Sequence, residues 1–314
     1  MLSGRRKNLQ NSTLNKITAT SNIMQRNTAC YLCKSEELLV RPGSVRDNAL
    51  LEIYECSACG LVFLSSFDHI HSGFYENSGM HGEKPDRETW MRETAVDDER
   101  RFNVLRGSLE GRSVLDFGCG TGGFLLKARE VAAKVAGVER EHSLKPWFHN
   151  QKLDVFSSLE DVDGNFDIIT LFHVLEHIPD PRTVLSTLGT KLNKNGIIIV
   201  EVPNANDALL TLYKSSSFSR FTYWSCHLFL FSQSTLPVLA EQSGLSVNYV
   251  KQIQRYPLSN HLYWLAHGKP GGHQTWSYLD SPELTNSYEK QLANIGACDT
   301  ILASFSRTHP GVHH

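Results

Sequence analysis

Residues 114–125 read V-L-D-F-G-C-G-T-G-G-F-L, and the order of residue types there constrains the ligand. Asp116 stands two residues ahead of Gly118, Gly120 and Gly122, with Cys119 inside the loop. Glycine permits positive φ and lets a ligand lie against bare backbone. A loop that cradles a pyrophosphate has the spacing G-x-G-x-x-G. Here the spacing is G-x-G-x-G, and an acid beside it repels phosphate but suits an ammonium group. Glu139 ends the next β-rich run, where an acid accepts both hydroxyls of an unphosphorylated ribose. A ligand with a ribose, an ammonium group and no phosphate requirement fits S-adenosylmethionine (SAM).

Cys30, Cys33, Cys56 and Cys59 form a second constellation, C-x2-C, twenty-two residues, C-x2-C. Without an export signal such spacing reads as a metal site rather than a disulfide framework. Four thiolates close a tetrahedron around a structural Zn²⁺. Histidines supply the third set of candidates. His177, in E-H-I-P, and His227, in an aromatic-rich stretch, both titrate near neutrality and could take a hydroxyl proton. Glu176 could orient His177 or cap a turn. His261 and His273 read as structural or surface groups, and Cys226 as packing. Asp180 and Asp207 are unconvincing singly as ligands of a catalytic cation.

The elements that must position these groups follow from the patterning. Residues 1–28 read as a disordered tail, 29–64 as a zinc ribbon with short strands between its knuckles, and 65–110 as a connecting helical region. From residue 111 to 309, β-rich runs alternate with helices, the pattern of a parallel sheet covered on both faces. The long connection before the last run implies a final reversed strand. Asp180 and Pro181 open one helix, and Gly244 closes another. Insertions for the acceptor are expected at about 204–231 and 255–298. The predicted fold is α/β, a seven-stranded Rossmann-like sheet with a small N-terminal zinc-ribbon-like domain.

The 314 residues are 40% hydrophobic, with ten tyrosines and fifteen phenylalanines, enough for a large core. A formal net charge of −2 argues against a nucleic-acid partner. No apolar run is long enough for an integral membrane segment. With no secretory signal at the start, a cytoplasmic location is expected. The sequence is compatible with a homo-oligomer and does not fix one.

With these motifs in place, residues 111–306 resemble class I SAM-dependent methyltransferases. VLDFGCGTGGF is similar to the first motif of that family and VAGVE to its second. FDIITLFHVLEHIPDP is similar to its fourth-strand motif, and GIIIVEVPN to the strand after it. The resemblance implies that Asp116 and the loop Gly118, Cys119, Gly120 and Gly122 hold the methionine part of SAM. It implies that Glu139 holds the ribose, that residues 157–159, Ser158 and Leu159 among them, line the adenine, and that Phe172 and His173 lie near the sulfonium. Tyr75 is expected to close over the cofactor.

The four-cysteine unit ahead of this domain, with WSCHLFLFS and the segments 254–273 and 287–305, resembles bacterial sugar methyltransferases of O-antigen and deoxysugar pathways. That resemblance implies a sugar substrate, an O-antigen saccharide or a nucleotide sugar. C-methylating members carry Tyr-His-Glu-His-Leu where this chain has Trp224, Ser225, Cys226, His227 and Leu228. Loss of the Glu and Tyr weakens C-methylation of a keto sugar, which needs a base at carbon and enolate stabilisation. The expectation is therefore O-methylation of a lipopolysaccharide or related sugar, with C-methylation as the alternative and a non-catalytic SAM-binding protein as a further one. The aromatics Phe218, Phe221, Tyr223, Trp224, Tyr263 and Trp264 are expected in the core or stacked on the acceptor.

Overall fold

A computed structural model describes residues 25–71, 73–76 and 86–308; most of the expected tail lies outside these residues. Among the described residues, eleven strands form two sheets. Strands β1 (Leu38–Val40), β2 (Ile53–Cys56) and β3 (Val62–Leu64) come from the cysteine-bearing segment. Helix α1 (Arg87–Leu109) follows, then β4 (Ser113–Phe117), α2 (Gly123–Ala128), β5 (Lys134–Val138), α3 (Lys145–Gln151), β6 (Val155–Phe156) and β7 (Phe166–Phe172). The chain continues through α4 (Pro181–Thr190), β8 (Leu192–Pro203), α5 (Ala208–Thr211), α6 (Ser216–Thr222), β9 (Phe229–Leu230) and α7 (Thr235–Gln242). It ends with β10 (Leu245–Ile253), α8 (Leu258–His267), α9 (Gly272–Thr275), α10 (Pro282–Asn294) and β11 (Thr300–Arg307).

The large sheet has the order β10-β11-β8-β7-β4-β5-β6. Its β4 to β8 pairings are parallel, and β11 runs antiparallel between β8 and β10. This is the seven-stranded Rossmann-like sheet with its reversed strand. The central strands are nearly all apolar because helices cover both faces. Chain order reverses between β4 and β7, so a crevice opens outside their carboxyl ends. Asp116 pairs there with Gly137 on one side and Thr170 on the other.

Helix starts follow local chemistry. Asp86 accepts a hydrogen bond from the Thr89 amide to cap α1, and Asp180 does the same from Thr183 ahead of Pro181 in α4. Phe102, Leu105 and Leu109 of α1 bury against Phe124 and Ala128 of α2.

The small sheet is antiparallel, β1-β2-β3-β9. Its fourth strand comes from far along the chain, with Val62 paired to Leu230 and Phe63 to Phe229. Cys30, Leu32 and Phe63 share one core with Phe229, Phe231, Leu185 and Leu239. The cysteine-bearing segment is thus packed onto the large domain rather than tethered to it.

Candidate active site and cysteine cluster

One cleft of about 1130 Å³ opens at the sheet reversal. At one end lies the glycine loop. Gly118 has φ +76°, and a Cβ there would meet Val174 Cγ2 at 2.4 Å. The Gly120 amide donates to Glu139 Oε2 at 2.9 Å, and the Glu141 amide to Oε1 at 2.8 Å. Glu139 therefore clamps the loop as well as facing the cleft. Ser158, Leu159, Phe172 and His173 line the same cleft, as do Asp116, Cys119 and Gly120. Gly122 has φ +77° and packs under Leu153.

Asp116 is buried and accepts from the Thr170 hydroxyl at 2.7 Å. Burial pushes its carboxyl up to about 7 against that hydrogen bond, with Asp98 and Glu139 adding to the rise. Burial raises Asp98 and Glu139 as well. Three carboxyls thus surround the loop, with Arg101, 3.6 Å from Asp98, and Lys127 standing against them. The loop is built for a cation.

Beyond β7 the cleft is lined by Glu176, His177 and His227. His177 Nδ1 lies 2.7 Å from the Cys226 carbonyl, and His227 Nδ1 lies 3.0 Å from that of Thr222. Carbonyls only accept, so each Nδ1 carries a proton in these contacts. Burial and neighbouring His177 push His227 down to about 3, against the pull of Glu176. Burial pushes the Glu176 carboxyl up, but His173, His177 and His227 hold it below the ordinary carboxylate value. The Tyr75 hydroxyl donates to the His177 carbonyl at 2.9 Å and closes this end.

The walls are aromatic. Trp264 contacts Phe218 and Phe221 with ring centroids 5.1 and 5.3 Å away, and Trp224 lies edge-on to His177 and His227. Tyr223 is buried beneath Gly43, and Tyr263 pairs with His267 and Trp276 away from the cleft. His261 is buried, with Nδ1 2.7 Å from the Tyr288 hydroxyl; His273 Nδ1 lies 3.2 Å from Asn260 Oδ1. Asp207 caps α5, and burial with nearby Asp299 pushes it to about 8.

Sequence reasoning missed a charged floor beneath the cleft. Glu201 is fully buried in β8 and accepts from Arg100 Nη2 at 2.8 Å and Arg101 Nη2 at 2.7 Å. Asp97 pairs with Arg255, whose Nη1 donates to His173 Nε2 at 3.1 Å. His173 has φ +55°, a conformation that is unfavourable for a non-glycine residue. The signal was present as one acid, Glu201, in an otherwise apolar strand, GIIIVEVPN.

The cysteine cluster lies apart from the cleft. All four Sγ atoms lie within 4.8 Å of one another, with Cys30–Cys59 at 3.5 Å and Cys33–Cys56 at 3.4 Å. A disulfide would bring two sulfurs to about 2.05 Å. Four thiolates about 2.3 Å from one ion would stand roughly 3.8 Å apart. The donor set and spacing fit a tetrahedral thiolate-bound metal. Lys34 and Gly60, each one residue after a C-x2-C pair, both take the left-handed conformation, so the two knuckles match.

This segment also grips the wall that carries His227. The Asp47 carboxylate accepts from the Ser225 amide at 2.9 Å and from its hydroxyl at 2.7 Å. The Arg46 amide donates to the Tyr223 carbonyl, and its guanidinium stacks 4.5 Å from the Trp224 ring centroid. No helix among the described residues is long and apolar enough to cross a membrane.

Residues 89–250 match the family described as "Methyltransferase domain". A ubiquinone biosynthesis O-methyltransferase from Aeromonas salmonicida is 23% identical over 222 residues, covering 64% of this chain and 87% of that one. Its Bordetella avium counterpart is 28% identical over 196 residues, 57% of this chain and 76% of that one. A SAM-dependent methyltransferase structure from Archaeoglobus fulgidus aligns at 21% identity and a TM-score of 0.47, covering 70% and 99% of the two chains. These names correct one expectation. These relatives are named for ubiquinone biosynthesis and not for sugar modification, so the O-antigen or nucleotide-sugar acceptor is withdrawn. The resemblance that suggested it rested on short segments outside the cofactor motifs, which tolerate change without altering the fold.

Proposed function

The chain belongs to the methyltransferase-domain family and is a SAM-dependent methyltransferase, and from that premise we propose that it methylates a ring hydroxyl of a flat, largely apolar acceptor. The observation that carries this reading is the shape of the cleft. A cation-seeking loop of three carboxyls at one end faces a Glu–His–His cluster at the other, between aromatic walls. The naming of the relatives as O-methyltransferases supports oxygen as the acceptor atom.

When bound, SAM supplies an electrophilic methyl on a positively charged sulfur. Asp116 and the loop from Gly118 to Gly122 would hold its ammonium end, and Glu139 its ribose hydroxyls. Ser158 and Leu159 would flank the adenine, with Phe172 and His173 beside the sulfonium. Glu201, with Arg100 and Arg101, and Asp97, with Arg255, fix His173 in place. Trp224, Phe221, Phe218 and Trp264 would sandwich the acceptor ring, and its hydroxyl is activated at the Glu176–His177–His227 cluster. Cys30, Cys33, Cys56 and Cys59 hold a structural Zn²⁺ that shapes the module bearing Arg46 and Asp47.

Methyl-labelled SAM offered with catechols, and separately with amines and carbon acids of similar size, tests the reading. Label recovered as an aryl methyl ether is expected. Glu176→Gln and His227→Ala should each lower kcat by roughly 10²–10⁴-fold with cofactor affinity little changed. Label found on nitrogen or carbon overturns oxygen as the acceptor.

A further inference from the structure

Two buried polar side chains in the cleft are only half used by the protein. Asp207 and Asn260 are each 4% exposed, and both line the cleft. Asp207 Oδ1 accepts from the Leu209 amide at 2.6 Å, and Oδ2 meets no donor among the described residues. Asn260 Oδ1 accepts from the Gly271 amide at 3.3 Å and lies 3.2 Å from His273 Nδ1. A main-chain amide only donates, so the Asn260 carboxamide has one orientation, and its Nδ2 is left with two protons and no partner among the described residues. Buried polar atoms are nearly always paired, so two that open on one cleft call for a ligand.

Both sit beside the aromatic wall. Asn260 lies one helical turn before Trp264 on α8, so the two share a face, and Trp264 packs on Phe218 and Phe221. Asp207 opens α5, which leads into α6, the helix bearing those two phenylalanines. The groups facing Asp207 are Asp299 ahead of β11, Tyr288 of α10 and Cys298, none of them a cation. Asp299 accepts from the Arg255 and Tyr256 amides and from Gln254 Nε2, whereas Asp207 has one amide. Asp299 is therefore the better supported charge. Burial and Asp299 push Asp207 up to about 8, so at neutral pH it carries a proton and presents an O–H to the cleft.

We infer that Asp207 and Asn260 anchor a neutral oxygen of the acceptor, a carbonyl borne on its ring, which takes hydrogen bonds from the carboxyl and the carboxamide while the ring lies against Trp264. The inference rests on the ring-hydroxyl reading and narrows its substrate class. One edge of the ring brings its hydroxyl to the Glu176–His177–His227 cluster, and another brings a carbonyl to this pair. An apolar substituent there would leave both donors unpaired, and a site built to hydrogen-bond a group rejects the analogue that lacks it. An ammonium group would meet donors where it needs acceptors.

Full-length protein saturated with S-adenosylhomocysteine, which fills the cofactor end and permits no methyl transfer, is titrated calorimetrically with three catechols. They carry an acetyl, an ethyl or an aminoethyl group at the same ring position. The acetyl catechol is expected to bind roughly tenfold tighter than its ethyl isostere, and the amine weakest. Asp207→Ala and Asn260→Ala should each remove most of that preference, whereas Asp207→Asn, which still donates, should keep it. Asp207 also caps α5, so Asp207→Ser serves if the alanine variant fails to fold, since serine caps a helix but is too short to reach the ring. Equal binding of the acetyl and ethyl catechols overturns the inference, as does no binding of any of the three or a preference that survives both alanine variants. Tightest binding of the amine overturns it too, because that requires an ionised carboxylate. The titration involves no turnover, so the two readings fail separately. Methyl ether formation without the acetyl preference removes the anchor alone, and the preference without label on oxygen removes the ring-hydroxyl reading alone.

Discussion

At the scale of single residues, Asp116 sets the terms on which a cation enters the loop. Burial holds its carboxyl near 7, so at neutral pH about half the cofactor-free molecules carry it protonated. A bound cation favours the ionised form, so binding at pH 7 must release part of a proton. Cofactor affinity should therefore weaken as the pH falls below about 7, and calorimetry in buffers of different ionisation enthalpy should register the release. Asp116→Asn should bind more weakly and abolish both effects. The same shift affects stability in the opposite direction. A carboxyl raised in the folded state stabilises the fold below its unfolded pKa, about 3.9, and that contribution is lost as pH rises through about 7. Thermal unfolding of the cofactor-free wild type against Asp116→Asn across this window isolates it. Asp116 and its glycines could be read directly from the sequence because their chemistry is local, set by spacing along a dozen residues. Glu201, Arg100, Arg101 and Arg255 could not, because each finds its partner only through the fold.

At the scale of elements, α1 and α2 meet at a contact with no spare room. Gly123 has ordinary backbone angles, but a Cβ there would lie 2.1 Å from Asp98 Oδ2. Gly123→Ala should destabilise the protein by about 1–3 kcal/mol, measured by denaturant unfolding. Adding Asp98→Ala should recover a large part of that loss, a coupling that a double-mutant cycle would read. The wall carrying His227 depends on a second contact between elements. Asp47→Ala removes both bonds to Ser225, and kcat should fall about tenfold with cofactor affinity held, equivalent to ~1.4 kcal/mol of barrier. The alternation of strands and helices from residue 111 was legible because buried parallel strands are continuous apolar runs. Strand β9 was not: two residues long, it carries no period of its own and exists because β3 offers it an edge.

At the scale of the molecule, the cysteine cluster and the cleft belong to one packed body. The thiol pairs were plain in the sequence, because their spacing is the motif itself. The grip of that segment on residues 223–227 was not, since Asp47 and Arg46 look like ordinary surface charges until the loop opposite is known. Metal removal should therefore be felt at the acceptor site. Cys59→Ser, or a chelator strong enough to strip thiolate-bound zinc, should lower thermal stability and raise KM for the acceptor more than for SAM. Unfolding and steady-state kinetics on the same preparation would check it; equal loss toward both substrates would mean general unfolding.

The distant pairing of β3 with β9 also bears on how the chain is made. Synthesis begins at the amino end, so β1, β2 and β3 emerge long before residue 230 exists. Until then β3 presents an unpaired edge, and exposed edges invite association with other chains. Ribosome-bound chains halted before residue 229 should therefore rely on the pairing of β1, β2 and β3 and on the four cysteines, without β9. Such intermediates should be more prone to aggregate, and more sensitive to zinc supply, than chains released after β9 has closed the sheet.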